Sequence, residues 1–139
     1  MAHTWNPGQY LKFAGHRLRP ALDLLARAEV EDPEAVYDLG CGPGNSTILL
    51  KNRWPDAQVT GVDSSPDMLA QAEKDHPELF WAQADLAEWS APDPANVLFS
   101  NAALHWLDDH ASQFPRLMQS LKPGGVLAVQ MPGNFAAPS

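Results

Sequence analysis

Val36-Tyr37-Asp38-Leu39-Gly40-Cys41-Gly42-Pro43-Gly44-Asn45-Ser46 reads as a short apolar strand ending in an acid, a three-glycine turn and the start of a helix. Glycines at such a turn remove the Cβ atoms that would hold the backbone away from a polar ligand. The next apolar run, Gln58-Val59-Thr60-Gly61-Val62, closes on a second acid, Asp63. In a strand–helix–strand unit that acid lies beside the glycine turn, roughly 20 residues downstream, where ribose-binding acids are expected. Turn and acid together read as the site of a nucleoside-containing cofactor.

Outward from this unit the pattern continues. Asn45 or Ser46 caps a helix to about Arg53, and Trp54-Pro55-Asp56 ends it. Ser64-Ser65-Pro66-Asp67 offers an N-cap, a first-turn proline and an acid that the helix dipole favours. The helix that follows carries Met68, Leu69 and Ala72 on one face and stops before Pro77. Leu79 to Ala82 and the nearly all-apolar Ala95 to Ser100 read as further strands, the latter buried on both faces. Asp108 or Asp109 opens a helix through Leu121, which Lys122-Pro123-Gly124-Gly125 breaks, and Val126 to Met131 is the fifth strand. Before the first strand, Pro20 starts an amphipathic helix through Ala28; Pro132 to Ser139 reads as an unstructured end. Strands alternating with helices along the whole length predict an α/β doubly wound, mostly parallel sheet in a single domain over 1–139.

Composition narrows the function classes. A chain of 139 residues with 45% hydrophobic and 19% charged residues suits one globular domain. Its net charge of −8 argues against nucleic-acid or anionic-membrane binding, which need basic footprints. A small anionic substrate needs only a local cluster, for which Arg17 and Arg19 are candidates. The single cysteine, Cys41, allows neither a disulfide framework nor a cysteine metal site, and the histidines show no paired ligand spacing, so no metal is expected. No secretory signal or apolar run of ~18 residues is evident, so a cytoplasmic location away from membranes is expected.

The glycine pattern also discriminates among nucleoside cofactors. A dinucleotide G-x-G-x-x-G would require glycine where this chain has Asn45, and no G-x-x-x-x-G-K-[ST] occurs. Asp38 would repel a pyrophosphate but attract an ammonium group, so a zwitterionic amino-acid moiety suits the turn better than a diphosphate. A nicotinamide-dependent oxidoreductase is disfavoured on both counts.

The ordered motifs D-L-G-C-G-P-G-N-S-T, G-V-D-S-S-P-D-M-L, A-D-L, S-N-A-A-L-H-W-L and L-K-P-G-G resemble those of class I S-adenosylmethionine-dependent methyltransferases. W-N-P-G-Q-Y-L-K-F at the start and F-S-N-A-A-L-H-W-L-D-D-H in the middle resemble, more narrowly, members acting on small organic acids. The resemblance implies a Rossmann-like sheet of five strands in order 3-2-1-4-5, lacking the family's last two strands, so that the domain is C-terminally incomplete. It places Gly40, Gly42 and Gly44 under the methionine portion of S-adenosyl-L-methionine, Asp38 near its ammonium and Asp63 on the ribose hydroxyls. Ser64 and Met68 would line the adenine side, Asp85 would accept from its exocyclic amine, and Leu86 would close that pocket. Ser100 and Asn101 would face the methionine and the transferring methyl.

Substrate contact is assigned to Phe13, Arg17, His105 and Trp106, and no residue is assigned as catalytic, because a carboxylate acceptor is already ionised at neutral pH. The expected function is methyl transfer to a carboxylate of a small organic acid. The alternative is a truncated cofactor-binding domain without turnover, whose bare strand-five edge is open to self-association.

Overall fold

The structure, a computed structural model, describes residues 30–101 and 115–130. Five strands, β1 (Ala35–Leu39), β2 (Gln58–Asp63), β3 (Phe80–Gln83), β4 (Ala95–Asn101) and β5 (Leu121–Gln130), form one sheet in the order β3-β2-β1-β4-β5. Every pairing is parallel. This is the expected sheet, with the order reversing between β1 and β4.

Alternation along the strands sends apolar side chains to both faces. Val36, Val59, Val97 and Phe99 pack on one face with Leu49, Leu50 and Trp54, the inner residues of helix α1 (Asn45–Arg53) and its C-cap. On the other face Tyr37, Leu39, Val62 and Leu98 meet Trp89 and Leu117. Burial on both faces is why these strands read as near-continuous apolar runs. Helix α2 (Pro66–Asp75) has Ser65 as its N-cap, accepting from the Met68 amide at 3.3 Å, with Pro66 in the first turn, as expected.

Three local expectations need correction. The N-cap of α1 is neither Asn45 nor Ser46 but Gly44, in the left-handed region at φ 98°, with no side-chain cap. The Ser46 hydroxyl is taken up elsewhere: it donates to Asp38. β3 starts at Phe80 rather than Leu79, whose side chain goes into the core, and it runs on to Gln83.

The third correction concerns Lys122-Pro123-Gly124-Gly125, which lies inside β5 rather than ending a helix. Helix is described only over residues 115–118, and β5 already pairs at Leu121 with Ala95 before resuming at Val126 with Val97. The residues between form a bulge in which Gly124 takes φ +81° and a Cβ on Gly125 would lie 2.9 Å from the Lys122 carbonyl oxygen. The glycine pair thus marks an irregular strand, a role glycine serves as well as helix termination. The expected helix from Pro20, the start of the Asp108/Asp109 helix and the Pro132–Ser139 end lie outside the described residues.

Candidate functional site

The site grows from the point where β1 and β4 part. Their pairing ends at Asp38 and Phe99, and the next carbonyl of β1, that of Leu39, accepts a 3.0 Å hydrogen bond from the buried Ser100 hydroxyl. The chain then turns through Gly40, Gly42 and Gly44, all at positive φ. The Gly40 and Cys41 amides both donate to the Val62 carbonyl, at 2.7 and 3.0 Å, so the turn hangs from the end of β2. A Cβ at Gly42 would meet nothing within 4 Å, which leaves the backbone there open to an approaching group. Gly44 serves packing instead. A Cβ there would lie 2.7 Å from Cη2 of Trp81, so this glycine lets the start of α1 close onto β3.

Two carboxylates flank the turn. Asp63, the last residue of β2, accepts from the Gly42 amide on Oδ2 at 2.8 Å and from the Ser65 amide on Oδ1 at 2.9 Å. It therefore joins the glycine turn to the N-cap of α2, and each oxygen keeps a further lone pair. Asp38 is fully buried. Its Oδ2 accepts from the Ser46 and Thr47 hydroxyls, both at 2.7 Å, while Oδ1 is buried with no partner in the structure. Burial pushes the Asp38 carboxyl up to about 6; the Ser46 and Thr47 hydroxyls pull it down, and the charge of Asp63 adds to the rise. Cys41 fills the space beneath the turn, and burial, reinforced by Asp38 and Asp63, pushes its thiol up, away from thiolate reactivity.

The Asp38 shift has a definite sign. The native carboxyl keeps its proton up to about pH 6, whereas the ordinary value is 3.8, so the native state binds more protons between the two. Stability is therefore greatest at the acidic end of that window and falls as pH rises through it. In Asp38→Asn the dependence is expected to disappear, so that thermal melts from about pH 4 to pH 7 show the variant gaining on its parent. A gap that stays flat with pH would remove the buried-acid account.

The remaining expected residues are placed unevenly. Ser64 is exposed, its carbonyl reached by the Gln83 amide at 3.5 Å, and Met68 is 47% exposed on α2. Asp85 is exposed after β3, with Oδ1 accepting from the Ala87 amide at 2.9 Å, and Leu86 leans on the core of the second face. Ser100 is occupied by the Leu39 carbonyl. Asn101 ends β4 at the same end of the sheet. Phe13, Arg17, His105 and Trp106 lie outside the described residues. Among the described residues no His, Cys, Asp and Glu group is placed to hold a metal, and no helix is long and apolar enough to cross a membrane.

Three roles escaped the sequence reading. Ser46 and Thr47 hold the buried acid; the available signal was a pair of hydroxyls eight and nine residues after it, across the turn. Trp81 wedges between Gly44 and Gly61 and donates from Nε1 to the His76 carbonyl at 3.1 Å. Its position follows from the pairing of Gly61 with Trp81 in adjacent strands.

A parallel sheet with a glycine turn and two acids at its switch point defines a nucleoside-cofactor α/β protein. Residues 36–125 match the family described as a methyltransferase domain, and the chain belongs to that family. It is similar to trans-aconitate 2-methyltransferase of Azoarcus sp. (strain BH72), 54% identical over 136 residues that make up 98% of this chain and 54% of that protein. The enzyme of the same name from Escherichia coli O17:K52:H18 (strain UMN026 / ExPEC) is 52% identical over 97% of this chain and 54% of its own length. The chain thus spans about half the length of the curated relatives it matches. Among solved structures, an S-adenosylmethionine dependent methyltransferase from Mesorhizobium loti superposes with a TM-score of 0.67 at 34% identity, covering 83% of this chain and 53% of that one.

Proposed function

We propose that residues 1–139 are a single S-adenosylmethionine-binding domain of a methyltransferase that acts on a carboxylate of a small organic acid such as trans-aconitate. The observation that carries the reading is Asp63 seated on the Gly42 amide at 2.8 Å, beside backbone left open for a ligand. The residues fit the cofactor at each end of the turn. Asp63 offers two oxygens to vicinal ribose hydroxyls. Asp38, with one buried oxygen unmatched, suits the ammonium of the methionine portion. The first turn of α1 has neither a side-chain cap nor an acidic residue, so its dipole is available to the amino-acid carboxylate. Met68, Asp85 and Leu86 complete the adenine side; Ser100 and Asn101 border the crevice toward the methyl acceptor.

Bound there, S-adenosylmethionine would supply an electrophilic methyl on its sulfonium for transfer to a carboxylate oxygen, with S-adenosylhomocysteine as the leaving group. The acceptor is ionised at neutral pH, so the protein's part is to bind, orient and exclude water rather than to move a proton. Phe13, Arg17, His105 and Trp106 are the proposed acceptor contacts. The names of the Azoarcus and Escherichia coli relatives support the acceptor class. The proposed location is the cytoplasm.

Transfer of labelled methyl from S-adenosylmethionine to trans-aconitate, run beside calorimetry with S-adenosylhomocysteine, tests both halves. Heat of binding together with label in the acid is the expected result. Binding without label would assign turnover to a longer chain than this one, and no heat at all would sink the cofactor assignment.

A further inference from the structure

Arg116, in the short helical segment ahead of β5, reaches across to the β3–β4 connection. Its Nη1 donates to the Trp89 carbonyl and its Nη2 to the Leu86 carbonyl at 2.6 Å. Those carbonyls close a single tight turn. The Glu88 and Trp89 amides both donate to the Asp85 carbonyl at 2.9 Å, and the Ala87 amide donates to Asp85 Oδ1. Asp85 is therefore the head of the turn, and the guanidinium sits at its carbonyl end, where a cation complements the aligned dipoles. A rigid fork of donors suits two carbonyls on one turn in a way that a point charge does not. The turn is anchored further by Leu86, packed against the core, and by the Trp89 ring, 5.1 Å from that of Tyr37.

We infer that Arg116 is a positioning residue for the base end of the cofactor site, holding Asp85 and Leu86 in place through the Leu86 and Trp89 carbonyls. This rests on the cofactor reading above, in which Asp85 and Leu86 meet the adenine. Arg116 itself touches no ligand. Its contribution is to order the turn before the base arrives, so its loss weakens recognition of the base and not of the ribose or amino-acid ends.

The test compares S-adenosylhomocysteine with S-ribosylhomocysteine, which lacks the base, by calorimetry on the full chain. In Arg116→Ala, affinity for S-adenosylhomocysteine is expected to fall about tenfold, the size of one well-placed hydrogen bond, with S-ribosylhomocysteine unchanged. Arg116→Lys recovers only part of the loss. Ser120→Ala removes the neighbouring tie, in which the Ser120 hydroxyl accepts from the Ala91 amide at 3.0 Å. It is expected to lower Tm and leave the ratio of the two affinities intact. Amide exchange at Ala87, Glu88 and Trp89 should quicken in Arg116→Ala without any ligand present. If that variant does not fold, Arg116→Gln carries the same comparison. Equal weakening of both ligands, or no weakening of either, overturns the inference while leaving the cofactor reading standing. An unaltered chain that fails to bind S-adenosylhomocysteine sinks the cofactor reading, and the inference with it.

Discussion

Asp63→Ala is expected to abolish measurable S-adenosylhomocysteine binding. The side chain accepts from Gly42 on one oxygen and Ser65 on the other, so its orientation is set before any ligand arrives. Each oxygen can still take a ribose hydroxyl. Two hydrogen bonds to a charged acceptor contribute ~1.5–3 kcal/mol each, so losing both costs ~3–6 kcal/mol, or roughly two to four orders of magnitude in Kd. The substitution also leaves the Gly42 and Ser65 amides without their acceptor, so Tm should drop as well. Calorimetry beside a thermal melt separates the two effects. A lowered Tm with unaltered affinity would mean that Asp63 is only a knot between the turn and α2.

Gly61→Ala should give the largest loss of stability from a single methyl group. Gly61 sits in the middle of β2, and a Cβ there would lie 2.5 and 2.6 Å from Trp81 ring carbons and 2.9 Å from the Cys41 Sγ. The ring cannot swing away freely, because Nε1 is bonded to the His76 carbonyl and a Cβ on Gly44 would already fall 2.7 Å from its edge. Overpacking of this kind costs ~1–3 kcal/mol, which for a domain of this size lowers Tm by roughly 3–10 °C. The double variant Gly61→Ala/Trp81→Phe tests the cause. A smaller ring makes room, so the pair should be less destabilised than the sum of the two single changes. Strict additivity would mean that Trp81 is not the obstacle.

How much of this was legible in the sequence follows from the range of the interactions involved. The two acids were legible because each depends on local spacing: Asp38 two residues ahead of the first glycine, Asp63 closing the next strand. Ser65 and Pro66 were legible for the same reason, since a cap is a local event. The strand order came instead from the resemblance of the ordered motifs, because no local spacing decides which of five strands become neighbours. The cap of α1 was misread because Ser46 had a competing partner in Asp38, which outweighs capping once the acid is buried. The start of β5 was misread because proline and two glycines end a helix and kink a strand with equal ease. Trp81 and Arg116 left no trace at all. The first depends on which β3 residue faces Gly61, and the second on side chain-to-carbonyl bonds spanning 27 and 30 residues. Neither has a motif.

The bulge in β5 also solves a problem of alignment that hydrophobic patterning leaves open. Sliding a strand such as Val126-Leu127-Ala128-Val129 by two residues returns every side chain to the face it came from, so oily and polar faces cannot forbid the error. Gly125 opposes it. A Cβ there would fall 3.1 Å from the carbonyl oxygens of Ala95 and Asn96, closer than side chains ordinarily sit, and a two-step slide would carry Leu127 or Pro123 into that tight place. The glycine is a notch cut for one tooth, and it sets the depth to which the last described strand engages its neighbour.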